Sequence, residues 1–231
     1  MPATTRLWVE NRLLQDLPIT ERIRLVEQCD TVELAFGTVL CEPGHPILHV
    51  YFPRTACISL VTTLYGHPPL EMGLIGNEGM LGATLALGIN TAPMRAVVQG
   101  AGSSLRMNCT QLRIALRDNP MLLCRLNQYL FVLLMQLAQT AACTHFHEIE
   151  PRLARWLLMT HDRAHANHFH LTHAFLANML GVRRSGVTLA AGALQQRRLI
   201  RYTRGEITIL DRKGLEAASC ECYSAINTDA Q

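Results

Sequence analysis

A chain of 231 residues, 49% hydrophobic and 17% charged, has the make-up of an ordinary globular protein with one large or two modest domains. Its net charge is only +3, and no tail or internal repeat is evident. The opening MPATTRLWVENRLL lacks the apolar core of a signal peptide, so the expected location is the cytoplasm and the expected state of the eight scattered cysteines is the reduced thiol.

In chain order, Arg6 to Asp16 has helical spacing through Leu7, Leu13, Leu14 and Leu17 and is stopped by Pro18; Thr20 to Cys29 reads as a second short helix. From Thr31 to Met107 the texture changes to the short apolar runs TVELAF, HVYFP, ISLVTTLY, LEMGLIG, RAVVQ and SSLRM. Turn signals at Gly37, Pro43-Gly44, Gly66 to Pro69, Gly76 to Gly79 and Gly100 to Gly102 separate them. Such spacing predicts a small antiparallel barrel or jelly roll.

Thr110 to Leu116 predicts a short helix ending before Asn119-Pro120. The most apolar stretch follows, from Met121 to Cys143. Leu123, Leu126, Leu130, Leu133 and Leu137 step by three and four, the seam of a coiled-coil pair, while Leu122, Phe131, Leu134 and Met135 occupy the opposite face. One face can meet a twin helix while the other covers the barrel, which predicts a homodimer. Arg125, Asn127, Gln128 and Gln136 count against a bilayer span. His147 to Arg163 then forms an amphipathic helix with Pro151 in its first turn.

Five histidines lie within HDRAHANHFHLTH. His161 and His165, four apart on one helical face, are the candidate metal ligands; the competing reading is a solvated linker, since no Asp, Glu or Cys follows to complete a site. No HExxH, Ser-His-Asp, glycine-rich phosphate loop or paired-carboxylate pattern supports an enzyme. Cys220 and Cys222 are too close for an unstrained disulfide, and a redox or interchain role stays open.

Leu171 to Arg204 predicts two short helices on a tight turn and a basic hairpin. Thr172 is the N-cap of the first, Phe175, Leu176, Met179 and Leu180 recur along it, and Gly181 ends it. The second, from Arg183 to about Arg197, places Val187, Ala190, Ala191 and Leu194 on one face and Arg184, Ser185, Thr188 and Gln195 on or near the other. Between Asp162 and Glu206 there are seven arginines and no acid, more than the whole net charge of the chain. That segregation is expected of a surface that meets phosphates; a hairpin with a solvated arginine face is the bland alternative. Arg201 to Leu210 forms the hairpin, and Leu215 to Tyr223 a closing helix.

This segment resembles the winged helix-turn-helix of the Crp/Fnr family of bacterial transcription regulators, and the resemblance extends from about Asn11 to Tyr223. It implies an α+β fold with an N-terminal antiparallel β-barrel or jelly roll of cyclic-nucleotide-binding type (1–118), a dimerisation helix (119–145) and a winged helix-turn-helix DNA-binding domain (146–231). It implies as partners duplex DNA, a second copy of the chain and RNA polymerase, with no membrane and no enzymatic activity. By the same resemblance Arg184 reads base edges, where an Arg can pair with guanine O6 and N7. Ser185 and Leu189 stand where cyclic-AMP-responsive relatives carry Glu and Arg. Thr188 and Leu189 can touch a thymine methyl, or Leu189 can pack on the first helix. Arg183, Thr172, His173 and Arg204 are the phosphate candidates.

The charged residues that hold cyclic AMP in those relatives are missing: Gly82-Ala83 stands for the Gly-Glu pair, Pro93 for the Arg, and Leu137 and Ala138 for the Thr-Ser pair. Arg95, two residues from the expected place, is the one candidate for an effector pocket. No cofactor is expected, and the effector is unknown. The iron–sulfur cysteine group of some Fnr-type proteins is absent before Cys29. The alternatives are a regulator responsive to metal or redox state through its histidines or cysteines, and a small-molecule-binding module without DNA activity.

Overall fold

The computed structural model describes residues 11–164 and 168–228. Helix α1 (Arg12–Gln15) is capped by Asn11, whose side-chain oxygen accepts from Leu14 N. Asn11 is fully buried, and its amide donates to Pro53 O at 2.9 Å and Gly79 O at 2.8 Å, so this one polar side chain ties the start of the described chain to a strand end and a turn. The rest of the helix expected from Arg6, including Leu7, lies outside the described residues. Helix α2 (Ile19–Glu27) follows Pro18, whose fixed φ suits the position before a first turn.

Seven strands then form two sheets. Strands β1 (Asp30–Leu34), β7 (Gly102–Asn108) and β3 (His49–Pro53) make one, in the order β1-β7-β3. Strands β2 (Val39–Cys41), β6 (Arg95–Gly100), β4 (Cys57–Thr62) and β5 (Leu70–Ile75) make the other, in the order β2-β6-β4-β5. The pairs β1–β7, β3–β7 and β2–β6 are antiparallel. Val50, Phe52, Leu105 and Met107 alternate inward from the first sheet, and Ile58, Leu60, Ala96 and Val98 from the second. Strand β2, three residues with a register shift, is too short to give a period-2 signal in the sequence.

Helix α3 (Cys109–Asp118) begins with a capping box of Asn108 and Gln111. Helix α4 (Pro120–Phe146) runs for 27 residues and is long and apolar enough to cross a membrane by composition. Its packing assigns its faces differently from the sequence. Leu122 and Leu126 are fully buried in the barrel core, Leu123 and Leu130 pack against the same cluster, and Leu133 packs against the core of the second sheet. The leucine row expected to meet a twin helix is therefore largely turned onto the chain's own barrel. The exposed row is Met121, Cys124, Gln128, Phe131, Met135, Ala138, Ala142 and His145, flanked by Leu134. Its alternating steps of three and four repeat every seven residues, the period of a coiled-coil seam.

The chain forms two compact units, Met1–Leu60 with Leu74–Leu133, and Val61–Gly73 with Leu134–Gln231. The second unit contains helix α5 (Ile149–Ala164), strand β8 (His168–His170), helices α6 (His173–Leu180) and α7 (Arg184–Gln196), strands β9 (Ile200–Thr203) and β10 (Glu206–Ile209), and helices α8 (Arg212–Ala218) and α9 (Cys222–Thr228). Its sheet runs β8-β10-β9, so HFH, read from sequence as linker, is a third strand with Phe169 buried between two exposed histidines. The single closing helix expected over Leu215 to Tyr223 is broken between α8 and α9, where Cys220 turns inward. Trp156 on α5 is buried and donates from Nε1 to Glu71 Oε1 at 2.8 Å, which satisfies an otherwise costly buried carboxylate.

Candidate nucleic-acid interface

The two helices of the predicted reader are built by local rules. Thr172 accepts from Phe175 N at 3.1 Å to cap α6, and Gly181 closes it with φ of 63°, the left-handed turn that a glycine takes without steric cost. Arg183 is the N-cap of α7. Val187 and Leu194 are fully buried, with Ala190 and Ala191 beside them, so the apolar face of α7 is consumed by packing. A Cβ at Gly186 would lie 2.5 Å from Ile149 Cδ1, the tip of a side chain that would have to turn aside. Gly192 faces open space.

The other face carries Arg184, Ser185, Thr188 and Leu189, all exposed. Leu189 is 76% exposed, which removes the alternative that it packs on α6. Thr188 is less free than its exposure suggests. Its hydroxyl donates to Arg184 O at 3.1 Å and lies 3.0 Å from His173 Nδ1, an arrangement in which the imidazole N–H donates and the hydroxyl passes its own proton on. His173 in turn stacks on Tyr202 with centroids 4.4 Å apart and an 11° interplanar angle. Tyr202 donates from OH to Leu171 O at 2.9 Å and from its backbone N to Gln195 Oε1 at 2.7 Å. His173 thus ties α7 to the hairpin. Burial first, and the Arg184 guanidinium second, push its pKa below the ordinary value and favour the neutral ring. Gln195, read as an outward polar group, is likewise a brace.

Six of the seven arginines, at 183, 184, 197, 198, 201 and 204, are exposed. Arg163 is buried and donates to Met159 O, and Arg197 pairs with Glu150 at 2.8 Å, an acid outside the acid-free segment. Arg198 (φ 58°) and Arg204 (φ 53°) are the non-glycine residues in the left-handed region among those described. Arg204 with Gly205 forms the two-residue turn between β9 and β10 and stands at the tip of the hairpin.

Among the described histidines of the run, His161 and His173 each have partners of their own. His168 and His170 each reach Glu206, at 2.7 and 2.6 Å. His161 Nδ1 meets the Arg212 guanidinium, which also holds Asp162 at 2.7 Å; a cation in that place argues against a metal on His161. His165 lies outside the described residues.

The family model of the Crp-like helix-turn-helix domain matches residues 151–218, which contain α5 to α8 almost entirely and the whole hairpin. The fold is similar to that of FixK2 from Bradyrhizobium japonicum (TM-score 0.70, 14% identity, 83% of this chain and 98% of that one). It is similar also to TTHB099, a CRP-family transcriptional regulator from Thermus thermophilus (0.68, 15%, 81% and 96%). A third, TTHA1359, of the CRP/FNR family from the same organism, gives 0.66 at 23% identity, over 82% and 98%. The chain carries a Crp-like helix-turn-helix domain within a Crp/Fnr fold. No curated protein sequence matches it.

In this Crp/Fnr frame the barrel is of cyclic-nucleotide-binding type, and it holds a cavity of about 360 Å³. The lining is mostly apolar, with Glu42, His45, His49, Tyr51 and Thr84 as polar groups and neither Lys nor Arg. Arg95 is not on that lining; it pairs with Glu42 at 3.2 Å. A cyclic phosphate placed there would find no permanent cation.

Proposed function

We propose that this protein is a sequence-specific DNA-binding transcription regulator that acts as a homodimer in the cytoplasm, contacts RNA polymerase, and does not respond to cyclic AMP. The observation that carries the reading is the outer face of α7 in the Crp-like domain, where Arg184, Ser185 and Leu189 stand exposed on a helix braced to the basic hairpin by His173, Tyr202 and Gln195. Arg184 reads base edges; Arg183, Thr172 and Arg204 fix register on phosphates. Leu189 supplies an apolar contact for a thymine methyl, with Thr188 beside it. The exposed heptad row of α4 is the surface for the twin helix, in place of the leucine row, and a two-fold dimer suits an inverted repeat.

The test is selection of binding sites from a random duplex library by the purified chain without added ligand, at stated salt, for the native protein and for Arg184→Ala. The expected result is an inverted repeat with half-site centres about 10–11 base pairs apart. Arg184→Ala should keep salt-dependent affinity and lose about 1–3 kcal/mol of discrimination at one base pair per half-site. Failure to bind any duplex at low salt would overturn the proposal.

A further inference from the structure

A second constellation is assembled from the end of α4 and the break between α8 and α9. Cys143 and His147 are one helical turn apart, and Cys220 and Cys222 bracket one residue. Their ligand atoms all lie within 4.8 Å of one another. Cys143 Sγ is 3.6 Å from Cys220 Sγ, and Cys222 Sγ is 3.5 Å from His147 Nδ1. Tetrahedral zinc with Zn–S of about 2.3 Å and Zn–N of about 2.0–2.1 Å sets sulfurs about 3.8 Å apart and sulfur–nitrogen pairs about 3.5 Å apart. Two edges of that tetrahedron are therefore already in place, and the longest separation must close by about an ångström.

We propose that Cys143, His147, Cys220 and Cys222 form a structural Cys₃His zinc site. The surroundings have the features such a site needs. All three cysteines are buried, which excludes water and gives the closed shell of a structural site rather than a catalytic one. His147 directs Nδ1 toward the sulfurs and Nε2 toward the Glu221 carboxylate at 3.2 Å, the outer contact that fixes tautomer and ring orientation in a metal-bound imidazole. Gln139 donates from Nε2 to Cys222 Sγ at 2.9 Å. Three thiolates and one neutral imidazole around a divalent ion leave one net negative charge, and the buried Arg155 guanidinium stands by to offset it. The metal replaces the three S–H protons, which leave to solvent. Bound zinc would hold the last turns of α4 to the segment that joins α8 to α9 within the same compact unit.

The experiment uses the full chain without an affinity tag, purified under reducing conditions. Elemental analysis should find about one zinc per chain, and replacement by Co²⁺ should give the d–d bands of a tetrahedral site with thiolate-to-cobalt charge transfer. Cys143→Ser and Cys222→Ser should abolish that spectrum, and the paired change His168→Gln with His170→Gln should leave it intact. Because a cysteine variant can also fail to fold, the cobalt titration of the unaltered chain decides alone. Absence of the thiolate bands, iron in place of zinc, or recovery of a Cys143–Cys220 disulfide that binds no metal after reduction would each overturn the site. None of these readings depends on DNA.

Discussion

Replacing Phe131 by Ser tests the proposal that the exposed row of α4 meets a twin helix. Phe131 is 60% exposed in the single chain, and a phenylalanine presents about 150–250 Å². Covering the exposed part by a partner helix removes roughly 120 Å² from water, or about 3 kcal/mol at ~25 cal/mol per Å². The two-fold axis doubles this to about 6 kcal/mol per dimer, an upper figure that corresponds to a monomer–dimer Kd raised by about four decades. Sedimentation equilibrium across a concentration series measures it directly. Leu126→Ala is the comparison: fully buried against the barrel, it should cost about 2–5 kcal/mol of folding stability, seen in denaturant unfolding, with no matching change in association. A Phe131→Ser protein with an unaltered dimer constant, or a Leu126→Ala protein that is folded but monomeric, would refute this assignment of faces.

Three further outcomes follow from the DNA-reading domain. Gly192→Ala should stabilise α7 by about 0.8–1.0 kcal/mol, since its Cβ enters open space, whereas Gly186→Ala should gain less because the end of the Ile149 side chain must move aside; thermal unfolding ranks the two. His173 has a folded pKa below 6.5, so the stability it contributes is fully present above that pH and is lost as pH falls through the lowered value. Urea midpoints between pH 7 and 5 should therefore fall more steeply for the native protein than for His173→Gln. Tyr202→Ala should disconnect the stack on His173 and the brace to Leu171 O, weakening DNA binding with Arg184 still in place, a loss that filter binding measures at fixed salt.

Much of this architecture is legible in the residues because its signals are local. Thr172, Gly181 and the Val187–Leu194 face each act within a few positions, and the barrel strands are bounded by turn glycines whose φ is positive in the structure at Gly37, Gly44 and Gly66. What escaped depends on contacts distant in sequence. The leucines of α4 and its exposed row have the same period, so periodicity finds two faces without saying which one the barrel takes. The HFH strand is recognisable only through its pairing to β10. The histidine run draws attention because its members are adjacent in sequence, while the four residues that converge come from Cys143-x3-His147 and Cys220-x-Cys222, short motifs that nothing in the sequence joins. Gln195 and His173 carry polar atoms suited to DNA, and only the structure shows Tyr202 engaging both.

On the proposed function, the two arginines with positive φ set stability against operator affinity in any laboratory evolution of this protein. Each occupies a left-handed backbone position at a cost of about 1–2 kcal/mol that glycine would avoid. A screen for heat tolerance alone should therefore discard Arg198 and Arg204 early, and with them two cations of the DNA-facing segment. A screen for promoter output should keep them and accept the lower melting temperature. Lineages from the two screens would diverge first at these two codons.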